Sequence, residues 1–272
     1  MSAGKPVSLP ATLPQAVREE LRRALRRPYE IPGVVLSSGL LVTACWTLLP
    51  TGVVNWLFRF HGPVAFAMVM SLWIYSDVLT TNVLGDDPAR SIAALDDPAA
   101  LRRLWYARNI VLWLLATPLC AVTAIAVGVY SHELVAAALT VLWIATVPLG
   151  ALGFASWVGV WFPFHVLPLR YRWARRRRWW RMLVRWMILR LIPISLVPLL
   201  AVVLTMPGLL LWGTATPGAR GSRISDARFG SGLLLAAAVA VAAWPLGHWY
   251  GPRLASRRQR RLIAFLTDPD RG

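Results

Sequence analysis

Apolar stretches of about twenty residues or more, uncharged but for Asp77, recur along this chain, and nearly all of its charge sits between them. They run over residues 33–58, 63–84, 109–130, 134–164, 191–211 and 230–250. About 20 residues of helix cover the roughly 30 Å of a bilayer's hydrocarbon. A helix in a water-soluble bundle needs a polar face, and these stretches lack one. The pattern therefore predicts an all-α integral membrane protein with six transmembrane helices. Only a few residues join the first two, which read as a tight hairpin. The fourth is too long for one straight crossing, so Pro148, Gly150 and Gly153 are expected to kink it or end part of it. Pro193, Pro198 and Pro207 interrupt the fifth. On this reading residues 1–32 form a cytoplasmic tail with an interfacial helix, 33–251 the membrane domain and 252–272 a basic cytoplasmic tail.

Helical signals also lie outside the spans. Residues 1–11 read as disordered, and Thr12 with Gln15 then forms a capping-box pair that opens a short helix. In that helix Val17, Leu21 and Leu25 recur every four residues among arginines. Such a stripe suits a helix lying in the membrane interface, or a solvated helix packed on a partner. After the second span the chain repeats Asp86-Asp87-Pro88-Ala89 as Asp96-Asp97-Pro98-Ala99. In each copy the second Asp can cap a helix whose first turn tolerates Pro, since an N–H there has no partner to lose. Two short cytoplasmic helices follow, the second from Pro98 to about Arg108 and running into the third span.

Charge adds an orientation. The segments before the first span, after the second, after the fourth and after the sixth hold 25 of the 29 basic residues. The positive-inside rule places those segments, and with them both termini, in the cytoplasm. The net charge of +17 could suit nucleic acid, but it is spread between apolar spans, where anionic lipid headgroups attract it. No nucleic-acid partner is expected. The run 170–185 interleaves Arg with Trp173, Trp179 and Trp180, and Arg175, Arg176, Arg177 and Arg178 are read as headgroup anchors. All but one of the basic residues are Arg, the exception being Lys5, a usage associated with GC-rich bacterial genomes. That points to a bacterial plasma membrane. The first 32 residues carry no apolar core of a cleavable signal, and Cys45 and Cys120 read as small membrane hydrophobes.

Several chemistries are missing. The sequence contains no G-x-x-x-x-G-K-[ST] loop, H-E-x-x-H or G-x-S-x-G, and its only lysine sits near the N-terminus. The chain is therefore not expected to hydrolyse ATP itself, nor to carry a metal or cofactor. His61, His132, His165 and His248 fall near span ends, where interfacial histidine is ordinary. Asn82 to Asp86 matches the start of the N-x-x-x-D-x-x-x-D element of membrane prenyltransferases, but the next acid is replaced by Arg90. The D-G-x-x-A-R core of CDP-alcohol phosphotransferases fails at Pro88. Helix caps account for Asp86, Asp87, Asp96 and Asp97 with fewer assumptions than a magnesium site, which needs several converging oxygens. Asp77 is the one acid well inside a span; it is either a functional intramembrane group or a partner of the basic loop's arginines.

Between the second and fourth spans the chain resembles the permease subunit of type-2 ABC exporters. The resemblance rests on Asn82, Gly85 and Asp87 after the second span, on Arg108-Asn109 opening the third, and on Pro118 within it. Gly150, Gly153, Ser156, Phe162, Pro163 and Pro168 close the fourth span in a similar way. The layout agrees, although the outer connection 214–229 cannot be aligned with the family's re-entrant helices. The resemblance implies an ATP-driven exporter with a second permease copy or relative and cytoplasmic ATP-binding subunits. It also implies a coupling helix, for which Pro98, Leu101, Leu104 and Trp105 are the candidate contacts. The alternative for these apolar residues is packing against the chain's own interfacial helix. An accessory or scaffold membrane protein is the competing function, and a prenyl- or phosphotransferase using the aspartate loop is a third. An apolar, aromatic pathway would suit a lipid, a hydrophobic peptide or a drug-like molecule.

Overall fold

Backbone polar groups in hydrocarbon must find partners within their own segment, so the apolar runs have to become helices. The computed structural model describes residues 8–26, 30–50, 52, 64–76, 82–165, 187–188, 191–192, 195–207 and 227–268, and among these there is no strand. We name the helices α1 (Leu13–Ala24), α2 (Glu30–Leu48), α3 (Val64–Tyr75), α4 (Pro88–Leu95), α5 (Pro98–Tyr130), α6 (Leu134–Trp161), α7 (Ser195–Pro207), α8 (Ala227–Arg257) and α9 (Gln259–Leu266). Four of these contain stretches long and apolar enough to cross a membrane: Ile31–Leu48, Pro98–Tyr130, Leu134–Trp161 and Gly230–Arg257. They mark a multi-pass membrane protein. The remaining two predicted spans hold the shorter apolar helices α3 and α7.

Several boundaries differ from the sequence pattern. The second span does not stay helical to Leu84, because Asn82 to Gly85 form a buried turn. Pro148, Gly150 and Gly153 do not end α6, which continues to Trp161 and stops just ahead of Pro163. A chain bundled with neighbours tolerates an internal Pro, since other helices and side chains take up the freed carbonyl. The expected basic tail from residue 252 begins inside α8, which reaches Arg257 before α9 follows. Between α5 and α6 only Ser131 to Glu133 intervene, and His132 turns the chain with a positive φ of 57°. Asp77, Arg175 to Arg178, Pro168 and most of the 214–229 connection lie outside the described residues.

The most extensive helix pair is α6 with α8, and small residues make it so. A Cβ on Gly247 would fall 2.3 Å from the Gly153 carbonyl, and one on Gly150 would fall 2.7 Å from the Ala240 oxygen. Lipid chains are as apolar as leucine, so helices associate in a bilayer through such close backbone approach and through hydrogen bonds. Tryptophan indoles supply several of the bonds. Trp113 Nε1 donates to the Ala145 oxygen at 2.8 Å, joining α5 to α6. Trp157 Nε1 donates to the Gly247 oxygen at 3.0 Å, and Trp143 Nε1 to Thr205 Oγ1 at 3.2 Å, tying α6 to α8 and α7. Tyr75 and Thr117 share a hydroxyl bond of 2.8 Å between α3 and α5.

A second, separate core lies at the arginine-rich end of the bundle. Val83, Leu84, Leu95, Leu101, Trp105, Val160, Leu262, Phe265 and Leu266 are buried together there. α4, the first turns of α5 and the ends of α6 and α8 converge on it, and α9 covers it. This cap is an ordinary water-side hydrophobic core, with each buried large side chain contributing about 1.5–3 kcal/mol.

Gly247→Val should force α6 and α8 apart. Overpacking of this kind costs about 1–3 kcal/mol, so the detergent-solubilised variant should melt at a clearly lower temperature. Gly230→Val, at a glycine with nothing within 4 Å of the added carbon, is the control and should leave the melting temperature unchanged. Equal melting of the two variants would show that close helix approach is not what holds this pair.

Candidate functional site

Of the residues that carry the resemblance, Asn82, Gly85, Asp87, Arg108 and Asn109 lie where the cap meets the membrane bundle, whereas Pro118 is midway along α5, Gly150 and Gly153 pack on α8, and Pro168 lies outside the described residues. Asn82 ends the second apolar stretch and is buried against the end of α6. Its Nδ2 donates to the Phe164 oxygen at 2.8 Å, and its Oδ1 accepts from Phe164 N at 3.3 Å and Gly85 N at 3.2 Å. Gly85 lies so close to that strap that a Cβ would fall 1.6 Å from the Phe164 oxygen, so only glycine fits. Asn82 and Gly85 therefore splice the end of the second stretch onto the end of the fourth.

The aspartate loop starts directly after this splice. Asp87 caps α4 by accepting from Arg90 N at 3.1 Å, and Asp97 caps α5 by accepting from Ala99 N at 2.9 Å. Both caps fall on the second Asp of each copy, ahead of Pro at the first turn, as the duplication predicts. Asp86 instead faces α5, where Arg108 Nη1 lies 2.9 Å from its carboxylate, and Arg23 of α1 lies 3.4 Å away. Arg23 also reaches Asp87 at 3.2 Å, while Arg90 pairs with Glu19 and Glu20 of α1. A divalent cation at this loop would have to compete with two guanidiniums for Asp86.

This ion-pair net anchors α1. Ala16, Glu20 and Ala24 form its buried face, and the helix packs along α5. Val17 and Leu21 are only half-buried and Leu25 is exposed, so the predicted apolar stripe turns outward beside that face. The expected capping box does not form: Thr12 makes no side-chain cap bond, and Gln15 Oε1 accepts from Ala11 N, one residue ahead of the cap, at 3.3 Å. Residues 8–11 were expected to be disordered but belong to the cap. Pro10 is buried and its oxygen accepts from Arg103 Nε at 3.2 Å, while Leu9 packs on the cap core.

Arg108 and Asn109 are adjacent on α5, about 100° apart around its axis. While Arg108 faces the aspartate loop, Asn109 points into the bundle, 3.0 Å from His248 Nε2 on α8. His248 Nδ1 lies 2.8 Å from the Trp244 oxygen, which can only accept, so Nδ1 carries the proton and Nε2 accepts from Asn109 Nδ2. Tyr106 stacks on the imidazole at 4.2 Å between centroids. His248 is fully buried, and His165 is buried too, its Nε2 2.9 Å from the Phe265 oxygen. These two histidines are structural ties between segments, which their span-end positions did not reveal.

The proposed coupling contacts separate in the structure. Pro98 is exposed at the α4–α5 elbow together with Asp96 and Asp97. Leu101 and Trp105, by contrast, are each 1% exposed, and Leu104 packs partly buried against the same core. Trp105 lies over Gly251 of α8, where an added Cβ would meet its ring at 2.2 Å. Leu101 and Trp105 are buried in a core shared with α4, α8 and α9, while Leu104 packs on the edge of that core with part of its side chain exposed. The elbow's outward side is made of Ala89, Asp96, Asp97, Pro98 and Arg102. The contribution of α9 was legible but missed: Leu262, Phe265 and Leu266 recur at helical spacing among the arginines of the supposed tail.

No protein family, curated protein or solved structure matches the chain.

Burial alone would raise the Asp86 carboxyl, but Arg108 and Arg23 outweigh it and hold the group below its ordinary value of 3.8. A lowered native pKa stabilises the fold at pH values above the unfolded one, and the contribution fades as pH falls through the native value. Asp86→Asn should therefore lower the melting temperature at pH 7 by the equivalent of about 1–2 kcal/mol, the difference between charged and neutral hydrogen bonds. The same variant should lose less stability than the native protein on acidification. An unchanged pH profile would remove Asp86 from its place at the centre of the net.

Proposed function

We propose that the chain is the membrane-spanning subunit of an ATP-driven exporter in a bacterial plasma membrane, with six spans and both termini in the cytoplasm. ATP hydrolysis belongs to a separate cytoplasmic subunit, since the sequence carries no phosphate-binding loop, and a second permease copy or relative completes the assembly. The observation that carries this reading is the continuity of α5. It starts at the exposed elbow and runs 33 residues without a break to Tyr130, about 50 Å at 1.5 Å per residue.

Such a helix transmits a push as a rigid lever. A partner that binds the elbow differently in its ATP-bound and ATP-free states would bias the position of α5, and only a differential interaction of this kind can do so. The cap supports the lever because Leu101 and Trp105 clamp its base to α8 and α9, while Asn109 and His248 carry the link into the bundle. We place the docking surface on the outward side of the elbow, at Ala89, Asp96, Pro98 and Arg102, and not on Leu101, Leu104 and Trp105.

Topology is tested by reporter fusions. Those at residue 175 and at the C-terminus should read cytoplasmic and one near residue 220 external, following the 25-to-4 split of basic residues. A cytoplasmic signal near 220 would reduce the number of crossings and sink the six-span arrangement.

Docking is tested by Ala89→Arg combined with Arg102→Glu, two exposed positions outside the caps and the ion-pair net. The double variant should keep the native melting temperature and lose both association with an ATP-binding subunit and ATP-dependent export. Leu101→Asp should instead destabilise the protein by several kcal/mol, because it buries an unpaired carboxylate. Retention of an ATP-binding subunit by the altered elbow would refute the docking surface, and the absence of any such subunit from the native protein would refute the exporter.

A further inference from the structure

Some arginines at the basic end of the bundle are ion-paired and others, among them Arg102, Arg253, Arg257, Arg258, Arg260 and Arg261, have no carboxylate within ion-pairing distance among the described residues. Arg23, Arg90, Arg103 and Arg108 each pair with a carboxylate of α1 or of the aspartate loop. Arg253 and Arg257, on the last two turns of α8, are exposed, and among the described residues neither has a carboxylate within ion-pairing distance. The Arg253 guanidinium instead lies 3.5 Å over the Trp249 ring, which fixes its direction without neutralising it. Together with Tyr250 and Leu254 these three residues line a cavity of about 350 Å³ beside the helix.

Two features select the occupant. The arginines stand four residues apart, so their guanidiniums flank one side of the cavity, a spacing at which side chains on a helix are neighbours. Two guanidiniums at that distance can share one phosphate through paired N–H donors. Towards the membrane, the same face of α8 continues as Leu235, Ala238, Ala242, Leu246 and Trp249, all exposed and three or four residues apart. A cationic site at the top of an apolar stripe matches a phosphate joined to hydrocarbon. The candidate span Gly230–Arg257 has 28 residues where about 20 cross the hydrocarbon, so Arg253 and Arg257 reach the headgroup layer.

We infer that Trp249, Tyr250, Arg253 and Arg257 form a binding site for the phosphate of one anionic phospholipid, whose acyl chains lie along the Leu235–Leu246 face of α8. A bound lipid would staple the end of α8 to the bilayer surface on the side opposite the cap. The site is independent of the exporter reading and holds for any function that keeps α8 in the membrane.

Native mass spectrometry of the protein released from nanodiscs tests this. With equal dioleoylphosphatidylglycerol and dioleoylphosphatidylcholine, the unaltered protein should retain the anionic lipid about tenfold or more over the zwitterionic one, as two arginines at the headgroup layer would produce. Arg253→Gln with Arg257→Gln should abolish that preference, whereas Arg260→Gln with Arg261→Gln, exposed on α9 away from the cavity, should keep it. Inorganic phosphate at millimolar concentration should not displace the lipid. Equal retention of both lipids by the unaltered protein would overturn the proposal without recourse to any variant. Full displacement by phosphate would overturn it in favour of a free-anion site, and an undiminished preference in the Arg253/Arg257 variant would place the lipid elsewhere.

Discussion

The absence of a hydrophobic drive between helices in lipid is the constraint on which the membrane part of this protein depends. Leucines at the bundle surface lose nothing by facing acyl chains, so helix pairing has to come from backbone contact and directional bonds. The α6–α8 pair answers with Gly150, Gly153 and Gly247, whose missing side chains let carbonyls and Cα atoms approach within van der Waals contact. Indole N–H groups then reach carbonyls or hydroxyls across three helix pairs. Tryptophan suits this role because it carries a single donor on a large apolar body, so that most of the side chain stays compatible with lipid while the N–H finds a partner.

At the arginine-rich end the solvent changes, and the means of cohesion change with it. Water restores the hydrophobic effect, and the cap gathers a compact core from segments far apart in the chain: Leu9, Leu84, Leu95, Trp105, Val160 and Phe265. Around that core, carboxylates and guanidiniums form a net in which Asp86 is shared by α1 and α5. Exposed ion pairs contribute little, but Asp86 and Arg108 are largely withdrawn from water, which raises the value of each contact and the penalty for breaking it.

α5 runs as one helix of 33 residues from the cap into the membrane bundle. Its base is clamped by Trp105 on Gly251 and tied by Asn109 to His248, and its middle is bonded to α6 and α3 through Trp113 and Thr117. Within α5 Pro118 is the residue that interrupts the ladder of backbone bonds, and the ties at Trp105, Asn109, Trp113 and Thr117 all lie on the cap side of it.

The periodicity of apolar residues by itself determined that the chain is helical and membrane-embedded, because a span is a local property: about 20 residues must be apolar and must satisfy their own backbone. The duplicated Asp-Asp-Pro-Ala segments likewise determined two helix starts, since a cap involves residues within one turn. Which side chains are buried is not a local property. The apolar residues Leu101 and Trp105 look like a docking surface on a short helix until α9 and the end of α8 are folded over them. The strip from Arg257 to Leu266 looks like a charged tail until Leu262, Phe265 and Leu266 find the core that α4 and α5 present. Arg108 and Asn109 look like a motif to be read together, yet they point about 100° apart to partners on either side of them in the sequence, Asp86 and His248. Only the tertiary structure brings those partners within bonding distance, because nothing in the local sequence encodes which segment, 22 residues back or 139 residues on, will supply the other half of a contact.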